Sequence, residues 1–575
     1  MSLLKSTELY LKDIITNLGY DIDNVKLESS SMPSLGQFQI NIAMSLAKAY
    51  KQNPREIASK IVESLDDRFT NVNIAGPGFI NLTFSDKTMI EYLNEGINSF
   101  DIYVDAEEPK KIIVDYGGAN AAKALHVGHM RAANIGEALK RLAKLYKNEV
   151  IGDVHLGDLG RQSGMIISQL MIEKPELPFF DPNFKGEYPK IEITKEDLAY
   201  LYPTASKIAK EDPERMALVH DITAKIELGY TPYVELWKQI VEVSSKEIKG
   251  VYDELNCNFE LWEGELSACD YIDDLTKVIE PYIYESEGAK VIDIKEADDN
   301  KEMPPLMVFK NDGASVYSTR ELATIYSRME RFNPDEIWYV VDQRQALYFE
   351  QVFRGSYKTG LVPPTTKLYH FGFGTINGND GKPFKTRDGG VMTLSNLLEL
   401  INTEIEKKIK PEITGEEREK IAHALTIATL KYTDLIPYRK TDYIFDPVKF
   451  SSLEGKTGPY ILYTVVRIKS LLNKIENFND YKIENIPNED IKNIMTKLIE
   501  LPDSLKRSYN EATLNYITEI LYEICSLYNK FYTNYNIINE EDAITKNTYI
   551  AVSNLTLNTI KEILNILAID TIDKM

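Results

Sequence analysis

Two histidines flank a glycine in His126-Val127-Gly128-His129, and no other residues in the chain are better placed for phosphate chemistry. They fall at or just before a helix N-terminus, where unpaired N–H groups and the helix macrodipole favour an anion. The glycine between them removes a side chain, so that a flat ring such as adenine can approach the backbone. The pattern predicts a nucleotide site in which an α-phosphate is attacked. Two further sets of cations bear on it. Lys382, Lys385 and Arg387 lie in a glycine-bounded stretch, residues 381–390, which alone reads as a basic hairpin tip or as a loop that closes over phosphate. Lys123, three residues before His126, reads as a helix-entry lysine or as an additional charge for the same anion.

The surrounding pattern supplies the elements that would hold these groups. Residues 111–116 form an apolar run that predicts a buried strand ending at Gly117-Gly118. Residues 130–146 carry Ile135, Leu139, Leu142 and Tyr146 at helical spacing, and residues 149–154 predict the next strand. This β-α-β order predicts a Rossmann-like, doubly wound parallel sheet with ligands at the C-terminal strand ends. Residues 1–105 hold two helical patterns, with Asn53-Pro54 as a turn and residues 72–82 feeding an alternating strand. Residues 175–194 form an irregular insertion rich in Pro and Gly, residues 195–260 are helical, and residues 292–341 return to strands. From Gly458 onward the chain reads as all-helical. The fold class expected is multidomain α/β, divided as 1–105, 106–400 with an insertion at about 175–260, a helical connector at 401–457, and 458–575.

At 575 residues, 43% hydrophobic and 27% charged, the composition is that of a globular protein. Three scattered cysteines exclude a disulfide framework and a zinc knuckle, and no His/Cys/Asp spacing supports a structural metal. No apolar run is long enough for a membrane span, and a cytoplasmic location is expected. The net charge of −22 argues against indiscriminate nucleic-acid binding but leaves room for a specific RNA held by shape and stacking.

The phrase at residues 114–129, with Asp115, Asn120, Lys123, His126 and His129 in register, closely resembles the ATP-site signature of the class I arginyl-tRNA synthetases. The likeness continues in order through residues 152–164, Tyr317-Ser318-Thr319-Arg320-Glu321, Val341-Asp342-Gln343-Arg344-Gln345, the loop at 381–390, residues 442–446 and residues 458–463. Residues 75–81 resemble the family's additional N-terminal tRNA-contacting domain. The resemblance implies an N-terminal α+β tRNA-contacting domain, a Rossmann-like catalytic domain and an all-α anticodon-binding domain. It implies activation of L-arginine by ATP and transfer to tRNA(Arg), with activation dependent on bound tRNA.

Site roles follow residue by residue. His126, Gly128, His129 and Lys385 would bind ATP, with Lys382 and Arg387 on the loop over the departing pyrophosphate. In that loop Thr386 stands where other class I synthetases carry lysine, and Lys123 would supply the missing charge. Asp115, Asn120 and Gln345 would hold the α-amino end of arginine. Glu265, Tyr317 and Glu321 would grip its guanidinium, since paired carboxylates form bidentate bonds that an ammonium cannot reproduce. Mg²⁺ would arrive with ATP, held mainly by phosphates and water. Tyr460, Tyr463 and Arg467 share one helix face, which fits either a core stripe or a surface that stacks anticodon bases; the resemblance favours the second. A monomer is expected.

Departures gather near the amino-acid pocket. Glu321 replaces the family's aspartate, Ala119 its proline, and Leu159 its tryptophan. One methylene is worth about 1–3 kcal/mol of discrimination. The alternatives left open are therefore a paralogue that activates another amino acid or guanidino compound, and a catalytically silent tRNA-binding protein. His155 and His370 are expected to border the site, and His220 and His423 to be ordinary helix residues.

Overall fold

The computed structural model describes every residue except 31, 33, 312, 379 and 383–391. Four parallel strands form the central sheet, in the order Lys367–His370, Glu336–Val340, Lys111–Tyr116, Glu149–Asp153. The two inner strands are almost wholly buried, as strands covered on both faces must be. Helix Val127–Leu145 crosses from strand Lys111–Tyr116 to strand Glu149–Asp153. It packs so closely on the sheet that a Cβ at Gly136 would sit 2.3 Å from atoms of Tyr116. Only glycine permits that approach.

The insertion contributes helices Lys195–Glu211, Pro213–Glu227 and Thr231–Glu254, followed by a three-stranded antiparallel sheet of Ile283–Ser286, Ala289–Ile292 and Leu306–Lys310. Helix Tyr317–Phe332 then leads into strand Glu336–Val340.

Residues 1–105 fold as a four-stranded antiparallel sheet with helices Leu3–Asn17, Ile42–Tyr50, Pro54–Glu63 and Asp86–Gly96. The turn expected at Asn53-Pro54 within residues 39–65 is present: helix Ile42–Tyr50 ends before it and Asn53 Oδ1 accepts from the Arg55 N–H at 2.9 Å to start the next. The start of that stretch, expected to be helical, is instead strand Phe38–Ile40.

Helices Gly458–Leu472, Glu489–Asn510, Asn515–Asn534 and Ala543–Ile566 make the C-terminal bundle. It docks on both other parts. Asn94 exchanges two 2.9 Å hydrogen bonds with the Ile483 backbone. Arg141, near the end of helix Val127–Leu145, donates to the Asn565 carbonyl at 3.0 Å and to its Oδ1 at 3.2 Å. Among the described residues no helix is long and apolar enough to cross a membrane.

Candidate active site

His126 is the N-cap of helix Val127–Leu145. Its Nδ1 accepts from the Gly128 N–H at 3.1 Å, and His129 Nδ1 accepts from the His126 N–H at 3.2 Å. The rings stack with centroids 3.8 Å apart and planes 23° from parallel. A nitrogen that accepts carries no proton, so each neutral ring bears its hydrogen on Nε2. The cap thus fixes the tautomers and leaves two N–H donors at the positive end of a helix. A Cβ on Gly128 would lie 2.9 Å from His126 Cε1. The glycine therefore makes room for the cap's own imidazole, a reason the sequence pattern does not disclose.

Burial pushes the His129 imidazole down to about 3, helped by the nearby charges of His126 and Lys123. Burial also lowers His126, with Arg344 and Lys123 adding to it. Both rings stay neutral donors at physiological pH. The unfolded chain protonates His129 near pH 6.5, so its contribution is complete above that pH and falls by up to about 1.4 kcal/mol per unit on acidification toward the folded value. Urea unfolding at pH 7 and pH 5 should show the lower stability at pH 5, and His129→Gln should flatten the difference.

The stretch after the loop meets this pair directly. Thr393 bridges His126 in antiparallel fashion, and the Leu394 N–H donates to the Leu125 carbonyl at 2.9 Å. On the near side Lys382 is exposed, its N–H bonded to Asp380 Oδ1 at 3.1 Å and its carbonyl to the Gly378 N–H at 2.8 Å. Lys385 and Arg387 lie outside the described residues. Lys123 Nζ stands 5.3 Å from the centre of the Tyr202 ring, and both line a cavity of about 610 Å³ between the insertion and the signature helix. The sequence pattern does not disclose two neighbours, Tyr202 and Arg344. Arg344, whose charge depresses His126, is clamped to Asp342 at 2.9 and 2.5 Å.

At the C-terminal strand ends lies a buried polar cluster. Arg328 Nη2 stands 2.6 Å from Asp115 Oδ2 and 2.6 Å from Asp153 Oδ2, and its Nη1 donates to the Tyr339 hydroxyl at 3.1 Å. That hydroxyl in turn bonds the Glu321 carboxylate, whose Oε1 is buried without a partner. Asp115, Asp153 and His155 bring ligand-type atoms within 4.8 Å of one another, and the cation between the two carboxylates is the Arg328 guanidinium. Burial raises the Asp115 and Glu321 carboxyls against the pull of nearby cations, and Arg328 is held well above its ordinary value by its carboxylates despite burial. Burial alone would lower His155, but Asp115, Asp153 and Glu321 raise it.

Glu265 pairs with Arg320, Nε to Oε2 at 2.7 Å, and Arg320 lies over the Tyr317 ring. Asn120 runs beside Gly157 as a parallel bridge. Gln345 is exposed at the start of helix Ala346–Lys358, and Tyr348 just after it is half-buried near Glu265 and Glu321. The structure thus gathers Asp115 and Glu321 around one cluster, and Glu265 and Tyr317 around Arg320. Asp115 is engaged by Arg328 rather than free. Arg328, Tyr339, Arg320 and Tyr348 are absent from the sequence-based expectation. For Arg328 alone there is a signal, the helical recurrence along 317–332 that puts 317, 321, 324 and 328 on one face.

In the C-terminal bundle Arg467 donates to the Tyr463 hydroxyl at 2.9 Å and lies between the Tyr463 and Tyr532 rings, 4.7 and 4.9 Å from their centres. Tyr460 packs against Tyr522, centroids 5.7 Å apart. Tyr463 and Arg467 therefore offer a partly exposed π-cation face, and Tyr460 is half core.

Three family models match the chain: tRNA synthetases class I (R), catalytic domain, over residues 95–447; Arginyl tRNA synthetase N terminal domain, over 5–84; and DALR anticodon binding domain, over 461–575. The arginine–tRNA ligase of Alkaliphilus oremlandii is 41% identical over the full length of both chains. That of Agathobacter rectalis is 42% identical over 97% of each. The arginyl-tRNA synthetase of Plasmodium falciparum superposes with a TM-score of 0.83 at 21% identity, covering 100% of this chain and 99% of its own. The Thermus thermophilus enzyme superposes with 0.77 at 16% identity over 100% of both. These two likenesses speak for the fold.

Proposed function

As a member of the arginyl-tRNA synthetases the chain is an arginine–tRNA ligase, and we propose that the paired imidazoles are the seat of its ATP triphosphate. The supporting observation is the reciprocal cap: two neutral rings with Nε2–H donors at a helix N-terminus, with Thr393 bridged to His126. In activation an oxygen of the arginine carboxylate bonds to the α-phosphorus, the bridge to the β-phosphate breaks, and pyrophosphate leaves with the electron pair. A terminal ribose hydroxyl of tRNA(Arg) then attacks the activated carbonyl, and AMP departs. The carboxylate is already ionised, so no general base is needed in the first step. His126 and His129 bind and orient phosphate oxygens, and Lys123, Lys382, Lys385 and Arg387 supply charge to the departing pyrophosphate.

Asn120 and Gln345 hold the α-amino end of arginine, with Asp115 acting through the charge it shares with Arg328. Glu265, Tyr317 and Glu321 read the guanidinium. Mg²⁺ comes with ATP, and its chemistry is to offset phosphate charge; the nearby chain groups are cations and imidazole donors, which fits an ion held by phosphates and water. Tyr460, Tyr463 and Arg467 meet the anticodon arm. The protein works as a cytoplasmic monomer, with functional divisions at 1–105, 106–400, 401–457 and 458–575.

Pyrophosphate exchange tests the reading. Exchange into ATP with arginine is expected on addition of tRNA(Arg) and at background without it. Robust exchange without tRNA, or none with it, overturns the assignment of a tRNA-dependent site.

A further inference from the structure

Two of the three groups assigned to the substrate guanidinium already hold a guanidinium from the chain itself. Arg320 Nε donates to Glu265 Oε2 at 2.7 Å, with side chains only 5% and 17% exposed. Its Cζ lies 4.8 Å from the centre of the Tyr317 ring, and its Nη1 reaches Ser315 Oγ at 3.4 Å. The third group, Glu321, is the next residue in the chain, and its Oε1 is buried with no partner. The other side of the Glu321 carboxylate meets the Tyr339 hydroxyl, so the pocket holds one guanidinium at Glu265 and leaves one buried carboxylate oxygen of Glu321 without a donor.

A carboxylate withdrawn from water is costly to leave unpaired, so Glu265 can release Arg320 only to an equivalent partner. A planar fork matches it; an ammonium or a neutral urea does not. Any side chain that enters without a guanidinium leaves a charge stranded, which is discrimination through a penalty on the wrong ligand.

Resting on the reading of this pocket as the arginine site, we propose that Arg320 is a specificity-determining residue. It occupies the guanidinium seat at Glu265 and Tyr317 and yields it to the substrate side chain. With substrate bound, two carboxylates, Glu265 and Glu321, serve two guanidinia.

Calorimetric titration of the full chain, with tRNA(Arg) present, tests this with L-arginine, L-citrulline and L-lysine as ligands. Wild type is expected to bind arginine and to reject the other two. Arg320→Met removes the internal competitor, so arginine should bind about tenfold tighter while the margin over lysine narrows. Millimolar guanidinium ion should raise the melting temperature of Arg320→Met and leave wild type unchanged. Weaker arginine binding by a folded Arg320→Met overturns the proposal, because Arg320 would then serve the ligand or orient Glu265. If that variant does not fold, Arg320→Lys decides: tighter arginine binding supports exchange and weaker binding overturns it. Failure of wild type to bind arginine at all defeats the reading of the pocket itself, and the exchange with it.

Discussion

Replacing His129 with alanine is expected to lower arginyl-adenylate formation by about 10²–10³-fold, the usual cost of removing one preorganised donor from a developing negative charge. The effect has two parts. The variant loses the Nε2–H donor, and it also loses the acceptor that holds the His126 N–H and the ring that stacks on His126 at 3.8 Å. The two histidines should therefore act as a unit, with His126→Ala/His129→Ala little worse than either single change. Rapid-quench measurement of adenylate with tRNA present, at saturating arginine, reads the effect directly. A multiplicative loss in the double variant, or a single loss below tenfold, would defeat the idea of a coupled pair. His129→Asn, which keeps a polar side chain but not the stack, should fall between wild type and alanine.

The second large effect is on stability. Arg328→Met leaves Asp115 and Asp153 buried side by side without their shared cation, and breaking a buried pair in this way costs about 3–5 kcal/mol. Urea unfolding of the full chain should register that loss at neutral pH. Adding Asp153→Asn removes one of the stranded charges and should recover a substantial part of it. A loss under about 1 kcal/mol would mean that water or the cluster's own His155 already balances the carboxylates, since surface-like pairs are worth no more than that.

What the sequence discloses and what it withholds divides along contact range. The signature helix, its cap and the preceding strand are written in neighbouring residues, and local pattern suffices to read them. The parallel sheet follows from β-α-β order alone. The cluster under the amino-acid pocket is different: Arg328 lies 213 residues from Asp115 and 175 from Asp153, and no spacing rule connects them. Asp115, placed by the resemblance at the α-amino end of arginine, shares the buried Arg328 guanidinium with Asp153. Glu265 and Tyr317 are paired by the resemblance, but nothing in the sequence shows that Arg320 meets them both. Glu321 likewise meets distant residues: its carboxylate bonds the Tyr339 hydroxyl, which also accepts from Arg328, while its Oε1 has no partner. Lys123 was readable as a cation beside the histidines, whereas the Tyr202 ring against it comes from the insertion, which has no local signal for its docking. At Gly128 the position is legible in the sequence, whereas the close approach of the His126 ring to it is not.

Arg141 ties the far end of the signature helix to Asn565 of the last helix in the bundle. From Arg141 back to His126 the helix measures about 22 Å at 1.5 Å per residue, and a helix bends little over that length. It is a lever with its fulcrum in one part of the molecule and its tip in another. Tilting it by about 3° about Arg141 carries the tip by about 1 Å, a misplacement that typically costs a reaction 10²-fold. A load applied to the bundle is thus converted into alignment, or misalignment, of the paired imidazoles proposed to receive the triphosphate.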